Sequence, residues 1–518
     1  MNAARNLGLY PTGVPRLDDV LGGGLPSGSL ALIMGPPGSG KTTLANQMAF
    51  AAARAGRKAI VFTALSEPTT KLIEHLRNFE FFDNDLIGDQ LQFLSLQQFL
   101  SAGLPATADE LIAAVRSAQA EFVTLDGFRG VRGAEAAPQQ ARQFLYDIGA
   151  TLSLHGATAL ITSEANPRDP AFYPETTTAD VIIGLYYSLI GMRERRSIEI
   201  TKMRGMSPML GIHGFVLDQT GLTVYPRVEA QALIEQSRGG LFSGRAGAKQ
   251  SEKQSEALTP PAGFGLSELD ALLDGGLTRQ TAALLEGSLG AGKTLLALQF
   301  ALTGIQNNEP AIYLSFRETA DQLLRMADAF SFGAQMREAL TDDGLLKLVH
   351  WLPVELDPDQ VTVTLLDMIE RTSARRLVID SVGELARCVV ESSNSGSGRV
   401  PNYLAALLTV LRARGVTTLF VKEIRPTLTA TPYSSGVASE NDAPDHIYGL
   451  DWAGGPDPLA THVENVIRVQ QAFANGQRLR TIAIVKSRFT AHDERPREFV
   501  ISPPDGLIVL PGASSQQS

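Results

Sequence analysis

Gly35-Pro-Pro-Gly-Ser-Gly-Lys41-Thr42 returns as Gly287-Ser-Leu-Gly-Ala-Gly-Lys293-Thr294, 252 positions on, the difference between Lys41 and Lys293. Both stretches have the Gly-x-x-x-x-Gly-Lys-Thr pattern of a phosphate-binding loop. Glycines let successive backbone N–H groups turn inward around phosphate oxygens, and the helix that follows presents its positive end. Lys41 and Lys293 can reach the β- and γ-phosphates, and Thr42 and Thr294 can ligate Mg2+. Gly35, Gly38, Gly40 and Thr43 complete the first candidate cradle, and Gly287, Gly290, Gly292 and Leu295 the second. Each loop follows an apolar strand, Leu30-Ala-Leu-Ile-Met34 in the first copy, and opens a helix, Lys41 to Arg54 there. That is the context the motif requires.

Outward from the loops the register persists. The same shift maps Gly13 onto Gly265, Asp18 onto Asp270, Gly23 onto Gly275 and Leu25 onto Leu277. Downstream, Glu67 and Asp126 find counterparts in Glu318 and Asp380. Phe215-Val216 leading to Gly221-Leu222 is matched by Phe499-Val500 leading to Gly506-Leu507. One duplicated domain explains all of this. The expected division is a first domain over 1–235, a linker over 236–261 and a second domain over 262–518. The linker reads as such from Gly, Ser, Gln and Lys without apolar periodicity. Ser392 to Arg399 and Thr431 to Pro458 read as surface insertions in the second copy.

Within each copy short apolar strands alternate with helical segments. In the first, Lys58 to Thr63, Phe122 to Asp126 and Ala159 to Thr162 read as strands, and Thr69 to Phe79 as a helix. This predicts an α/β fold, a mainly parallel sheet covered on both faces. Val181 to Tyr187 and Ser197 to Lys202 bracket the charged stretch Arg193 to Arg196, which predicts a closing β-hairpin with that stretch as its turn.

Asp126 and Asp380 each end an apolar strand. There an acidic residue faces the ligand crevice and can orient Mg2+ and water, or else cap a helix. Glu67 and Glu318 follow the second strand of each copy. They are the candidates to orient or deprotonate an attacking water, with capping of the next helix as the alternative.

Composition narrows the class. Of 518 residues, 44% are hydrophobic and 19% charged, which describes a globular chain with room for two or more cores. A single cysteine, Cys388, excludes a disulfide framework and a cysteine-based zinc site within one chain, and its apolar neighbours predict a core thiol. No apolar run reaches the length of a spanning helix, and Met1 to Tyr10 lacks a signal-peptide stretch, so a cytoplasmic protein without membrane contact is expected. The net charge of −10 disfavours nucleic acid as the main partner.

Gly22-Gly-Gly-Leu-Pro26, Ser66-Glu-Pro68, the Asp126 and Asp380 strands and Thr201-Lys-Met-Arg-Gly205, together with the tandem loops, resemble the KaiC family of RecA-like ATPases. The resemblance covers the chain apart from the linker and the second-copy insertions. It implies two RecA-like domains, homo-hexameric rings, and ATP with Mg2+ held between neighbouring subunits. It also implies that Lys202 and Arg204 reach a neighbour's γ-phosphate, as Lys486 and Arg488 do in the second copy. Members of the family usually carry two adjacent glutamates after the second strand. Here those positions are Ser66-Glu67 and Arg317-Glu318. Serine is a poor base and arginine cannot accept a proton, so slow hydrolysis is expected in both halves. The Ser-Thr pair that clock-type members phosphorylate falls on Ala460-Thr461, and the chain ends soon after Val509 without their long tail. The first reading is a slowly hydrolysing ring acting as a signalling or timing switch. Two others are an autokinase with Thr461 as acceptor and a DNA recombinase or helicase. No signalling partner is named by the sequence.

Overall fold

The computed structural model describes residues 8–63, 68–99, 104–128, 138–168, 174–238, 260–341, 344–392, 396–424, 457–474, 477–489, 492–493 and 495–511. The chain forms two compact units, Met1–Ala230 and Gln231–Ser518. Most of the expected linker, 239–259, and most of the expected insertion Thr431 to Pro458 lie outside the described residues.

The first unit is built on a nine-stranded sheet of β3 (Leu30–Met34), β4 (Ala59–Thr63), β5 (Leu91–Ser95), β6 (Phe122–Leu125), β7 (Thr158–Ser163), β8 (Val181–Ile190), β9 (Arg193–Met203), β10 (Ile212–Asp218) and β11 (Gly221–Tyr225). A separate pair, β1 (Leu9–Tyr10) and β2 (Leu25–Pro26), precedes it. The order is β11-β10-β9-β8-β3-β7-β6-β4-β5. From β8 to β5 neighbours run parallel, and from β8 to β11 they run antiparallel. The residues of β3, β4, β6 and β7 are buried throughout, as strands covered on both faces must be. Two apolar cores flank the sheet. One is packed around the helix Lys41–Arg54, and the other lies on the opposite face under Leu104–Ala118 and Pro138–Leu154.

The second unit repeats the plan with β12 (Ala282–Gly287), β13 (Ala311–Ser315), β14 (Leu346–His350), β15 (Arg376–Asp380), β16 (Thr417–Glu423), β17 (Asn465–Ala474), β18 (Gln477–Ser487), β19 (Arg497–Ser502) and β20 (Gly506–Val509). The order β14-β13-β15-β16-β12-β17-β18-β19-β20 reproduces the first sheet strand for strand. Each unit is thus a RecA-like α/β domain that closes in antiparallel strands.

Three details depart from or sharpen the sequence reading. The charged stretch Arg193 to Arg196 is not a turn. It begins β9, pairing with Tyr187 to Ile190, and the chain reverses at Gly191-Met192. Over these residues β9 pairs with β8 and not with β10, which leaves the three arginines half-buried rather than enclosed by the sheet. The expected insertion Ser392 to Arg399 has residues 393–395 outside the described ones; at its two ends Ser392 is buried and Arg399 bonds the fully buried Asp359 at 2.6 Å. Cys388 is buried on the helix Val382–Glu391, as expected of a core thiol.

Candidate active site

Each phosphate-binding loop joins a fully buried strand to a long helix, and sterics fix the junction. A Cβ on Gly35 would meet the Leu185 carbonyl oxygen at 2.5 Å, and one on Gly287 would collide with the Val469 carbonyl oxygen. Both positions require glycine because the next strand's backbone passes too close. Gly40 and Gly292 turn the chain into the helices with φ of 99° and 102°, a left-handed conformation that suits glycine. No side chain caps either helix, so its leading N–H groups point at the crevice.

Lys41 Nζ donates to the Gly35 and Pro36 carbonyls, both at 2.9 Å. Lys293 Nζ does the same to Gly287 at 2.9 Å and Ser288 at 2.8 Å. Burial pulls both lysines below their usual pKa; Glu164 and Asp126 push back on Lys41, and Glu423 and Asp380 on Lys293. Thr42 Oγ1 donates to Asp126 Oδ2 at 3.0 Å, and Thr294 Oγ1 to Asp380 Oδ2 at 3.0 Å. A hydroxyl against a buried carboxylate, at the mouth of a loop lined with N–H groups, fits a triphosphate with its divalent cation. Among the described residues the buried hydroxyls of Ser39 and Ser288, in the two loops, have no hydrogen-bond partner and suit phosphate oxygens as acceptors. Thr43 is half-buried, and Leu295 is buried in the core beneath its loop. In the second unit a cavity of about 370 Å³ opens over the loop, walled by Gly292, Lys293, Thr294, Arg317, Glu318 and Asp380.

Glu318 stands at that cavity. Its backbone N–H donates to Ser315 Oγ at 2.9 Å, and Ser315 Oγ donates to Glu318 Oε2 at 3.2 Å. Capping of the next helix falls to Thr319, which forms a capping box with Gln322, so Glu318 is not needed there. Glu67 lies outside the described residues. Arg317 turns to carboxylates: Nη1 bonds Glu423 Oε2 at 2.7 Å, and Nη2 bonds Glu384 Oε1 at 3.3 Å. The Glu423 hydrogen bond is the main reason its pKa rises further.

The cationic pairs fold back on their own domains. Lys202 Nζ donates to the carbonyls of Thr176 at 3.0 Å and Thr177 at 3.3 Å, and Arg204 bonds Asp180 at 3.2 Å. Lys486 Nζ holds the carbonyls of Ala460 and Val463, both at 2.7 Å, and Arg488 that of Thr461 at 2.8 Å. The Thr461 hydroxyl donates to the Pro458 carbonyl at 2.7 Å. Within one chain these residues therefore brace the short helices Pro174–Thr178 and Pro458–His462, and they are not brought to that chain's own loops.

Sequence reasoning missed several neighbours of the loops. Glu164 and Glu423 each sit at the end of the strand next to the loop strand. Arg196 donates to the Gly38 carbonyl at 2.9 Å, and Gln471 to the Leu289 carbonyl at 2.7 Å, so both hairpins touch the loops. Thr162 and Tyr313 reach the two strand-end aspartates. Glu164 and Glu423 are the same residue at the same place in the two copies, which the duplication could have flagged, whereas Thr162 answers to Val421 and Tyr313 to Val61, so there the copies differ.

A family profile described as "ATPase: KaiC" matches residues 10–229 and 263–443. Among similar proteins is the circadian clock oscillator protein KaiC of Rippkaea orientalis, 24% identical over 97% of this chain and 88% of its own length. The same-named protein of Synechococcus elongatus is 26% identical over 95% of this chain and 87% of its own. The circadian clock protein KaiC3 of Synechocystis is also 26% identical, over 95% and 89%. Among the described residues no helix is long and apolar enough to cross a membrane. The profile falls once on each of the two RecA-like units, and this chain belongs to the KaiC family of ATPases.

Proposed function

We propose that the chain is an ATP-binding, slowly hydrolysing ring protein that works as a signalling or timing switch. The two copies divide the work, with hydrolysis in the first and a retained nucleotide in the second. The observation that carries this reading is the Arg317 bridge to Glu423 and Glu384 at the wall of the second cavity. At the place where the family keeps a base, the second site has a cation. That cation neutralises the nearest glutamate instead of accepting a proton.

Lys41 and Lys293 meet the β- and γ-phosphates, and the paired Thr42–Asp126 and Thr294–Asp380 hold Mg2+ and its water shell. When bound, the cation neutralises phosphate charge. The loop N–H groups and helix ends do the rest of the anion binding. Arg317 keeps Glu423 from repelling the γ-phosphate, so the second site favours retention. Arg317→Ala is expected to weaken ATP retention by the second site by roughly 1–3 kcal/mol, the range for hydrogen bonds to charged groups. Retention is measured on the full chain with the first site silenced by Lys41→Ala. Unchanged retention would make Arg317 a bystander.

The assembly reading is a homo-hexamer with ATP between neighbours. Its support is the family's pattern and the presence of Lys202, Arg204, Lys486 and Arg488 in both hairpin regions. ATP is then expected to drive ring formation, and Lys41→Ala or Lys293→Ala to weaken it at limiting ATP. Native mass measurement with and without ATP checks this, and equal assembly of both variants without nucleotide would refute it. The autokinase reading has less support, since Arg317 replaces a base and the Thr461 hydroxyl is engaged locally. A DNA-directed role is disfavoured by the charge of −10.

A further inference from the structure

Asp126 and Asp380 occupy the same place in the two units, yet different neighbours hold them. In the first unit Thr42 donates to Asp126 Oδ2 at 3.0 Å, while Thr162, just across on β7, donates to Oδ1. Thr162 is itself fixed by the Gly127 N–H at 2.7 Å. In the second unit the residue paired with Asp380 on β16 is Val421, which has no hydroxyl to give. The missing donor comes from the strand on the other side. Tyr313, at the centre of β13, is fully buried, and its hydroxyl donates to Asp380 Oδ2 at 2.8 Å. Its counterpart at the centre of β4 is Val61, which is apolar.

The consequence is an asymmetry in the carboxylates. Asp126 is gripped at both oxygens. Asp380 takes both donors, Thr294 at 3.0 Å and Tyr313 at 2.8 Å, on Oδ2. Among the described residues no hydrogen bond reaches Asp380 Oδ1. In both units two donors, one from the loop threonine and one from a neighbouring strand, hold the carboxylate in one orientation. Partners that fix a metal-facing carboxylate in this way govern affinity nearly as strongly as the ligands do.

We propose that Tyr313 is a positioning residue for the divalent cation of the second site: its buried hydroxyl supplies the second donor that fixes the orientation of the Asp380 carboxylate. Thr162 is its counterpart in the first site, recruited from the opposite neighbouring strand. The inference rests on the reading that the second site binds a nucleotide with its cation.

The test uses the full chain with the first site silenced by Lys41→Ala, a non-hydrolysable ATP analogue, and Mn2+ as the cation. Nucleotide retention is titrated against Mn2+, and bound Mn2+ is counted by electron paramagnetic resonance. Tyr313→Phe keeps the ring that fills the core and removes one oxygen. It is expected to raise the Mn2+ concentration for half-retention about tenfold or more, with the same nucleotide stoichiometry at saturating Mn2+. Adding Val421→Thr to Tyr313→Phe restores a donor from β16, the arrangement of the first unit, and is expected to bring the midpoint back. A merely structural role would lower the unfolding temperature and leave the midpoint in place. A Tyr313→Phe midpoint within twofold of the parent, or a raised midpoint that Val421→Thr leaves unrestored, would overturn the inference alone. Retention indifferent to Mn2+ in the parent would overturn the nucleotide reading with it.

Discussion

The Glu67→Gln substitution is expected to lower ATP turnover of the full chain about 100-fold, and Glu318→Gln less than about twofold, since a positioned general base contributes about 100-fold or more. The asymmetry follows from what stands beside each glutamate. Ser66 is neutral and leaves Glu67 able to orient or deprotonate water. In the second copy Arg317 lines the same cavity as Glu318 and pairs with Glu423 and Glu384, so the acidic wall is already neutralised. Steady-state phosphate release from the two variants decides the matter. The reverse ranking would assign hydrolysis to the second copy, and Arg317 would then have to be read as stabilising developing charge. Arg317→Glu restores the paired glutamates and is the natural companion variant, expected to raise second-site turnover.

The second large effect concerns the strand that carries Asp380. Its first residue, Arg376, is fully buried. The guanidinium bonds Glu309 at 2.7 Å and the carbonyls of Gly263 at 2.7 Å and Phe300 at 2.8 Å, and it lies over the Phe300 ring at 4.7 Å. Burial raises the Glu309 carboxyl, but hydrogen bonds from Arg279 and Arg376 more than offset that and hold it below the ordinary range. Glu309→Ala removes the hydrogen-bonded countercharge and leaves a buried cation bonded to neutral carbonyls, with Asp270 the remaining carboxylate that acts on it. It is expected to destabilise the second unit by about 3–5 kcal/mol, the cost of breaking a buried pair from one side. The first unit fills the corresponding strand start with Phe122, stacked on Tyr10 at 5.3 Å between centroids, so the fold has an apolar solution at this place. Denaturant unfolding of the second unit measures the loss. A Glu309→Ala change below about 1 kcal/mol would mean that the carbonyls and Asp270 satisfy Arg376.

Much of this architecture is legible because the chain states it twice. The loop motifs fix two helix starts, Lys41 and Lys293, and the apolar runs before Asp126 and Asp380 locate the strands that face the crevice. Buried parallel strands are nearly uniform in apolarity, so their existence is easy to read. Their order is not written in any single segment; it follows from the RecA-like plan. Less legible are contacts that depend on the neighbour across a ladder. Tyr313 reads as one more large strand residue, and only the pairing of β13 with β15 brings its hydroxyl to Asp380. Arg193 to Arg196 reads as a turn by charge, whereas the hairpin extends past it, at a place where β9 pairs with β8 and not with β10 and its arginines stay half-buried. Arg317 reads as a lost base; its new partners come from Glu384 and Glu423, far along the chain.

The division of labour between the copies is tested most directly by identifying the nucleotide that each site keeps. Full-length Lys41→Ala leaves only the second site intact, and Lys293→Ala only the first. Each is incubated with saturating ATP and Mg2+, freed of unbound nucleotide, and its bound ATP and ADP are separated and counted. The account predicts mostly ATP on Lys41→Ala, where Arg317 guards the second site, and mostly ADP on Lys293→Ala, where Glu67 acts. ADP accumulating on Lys41→Ala while Lys293→Ala keeps ATP would contradict it.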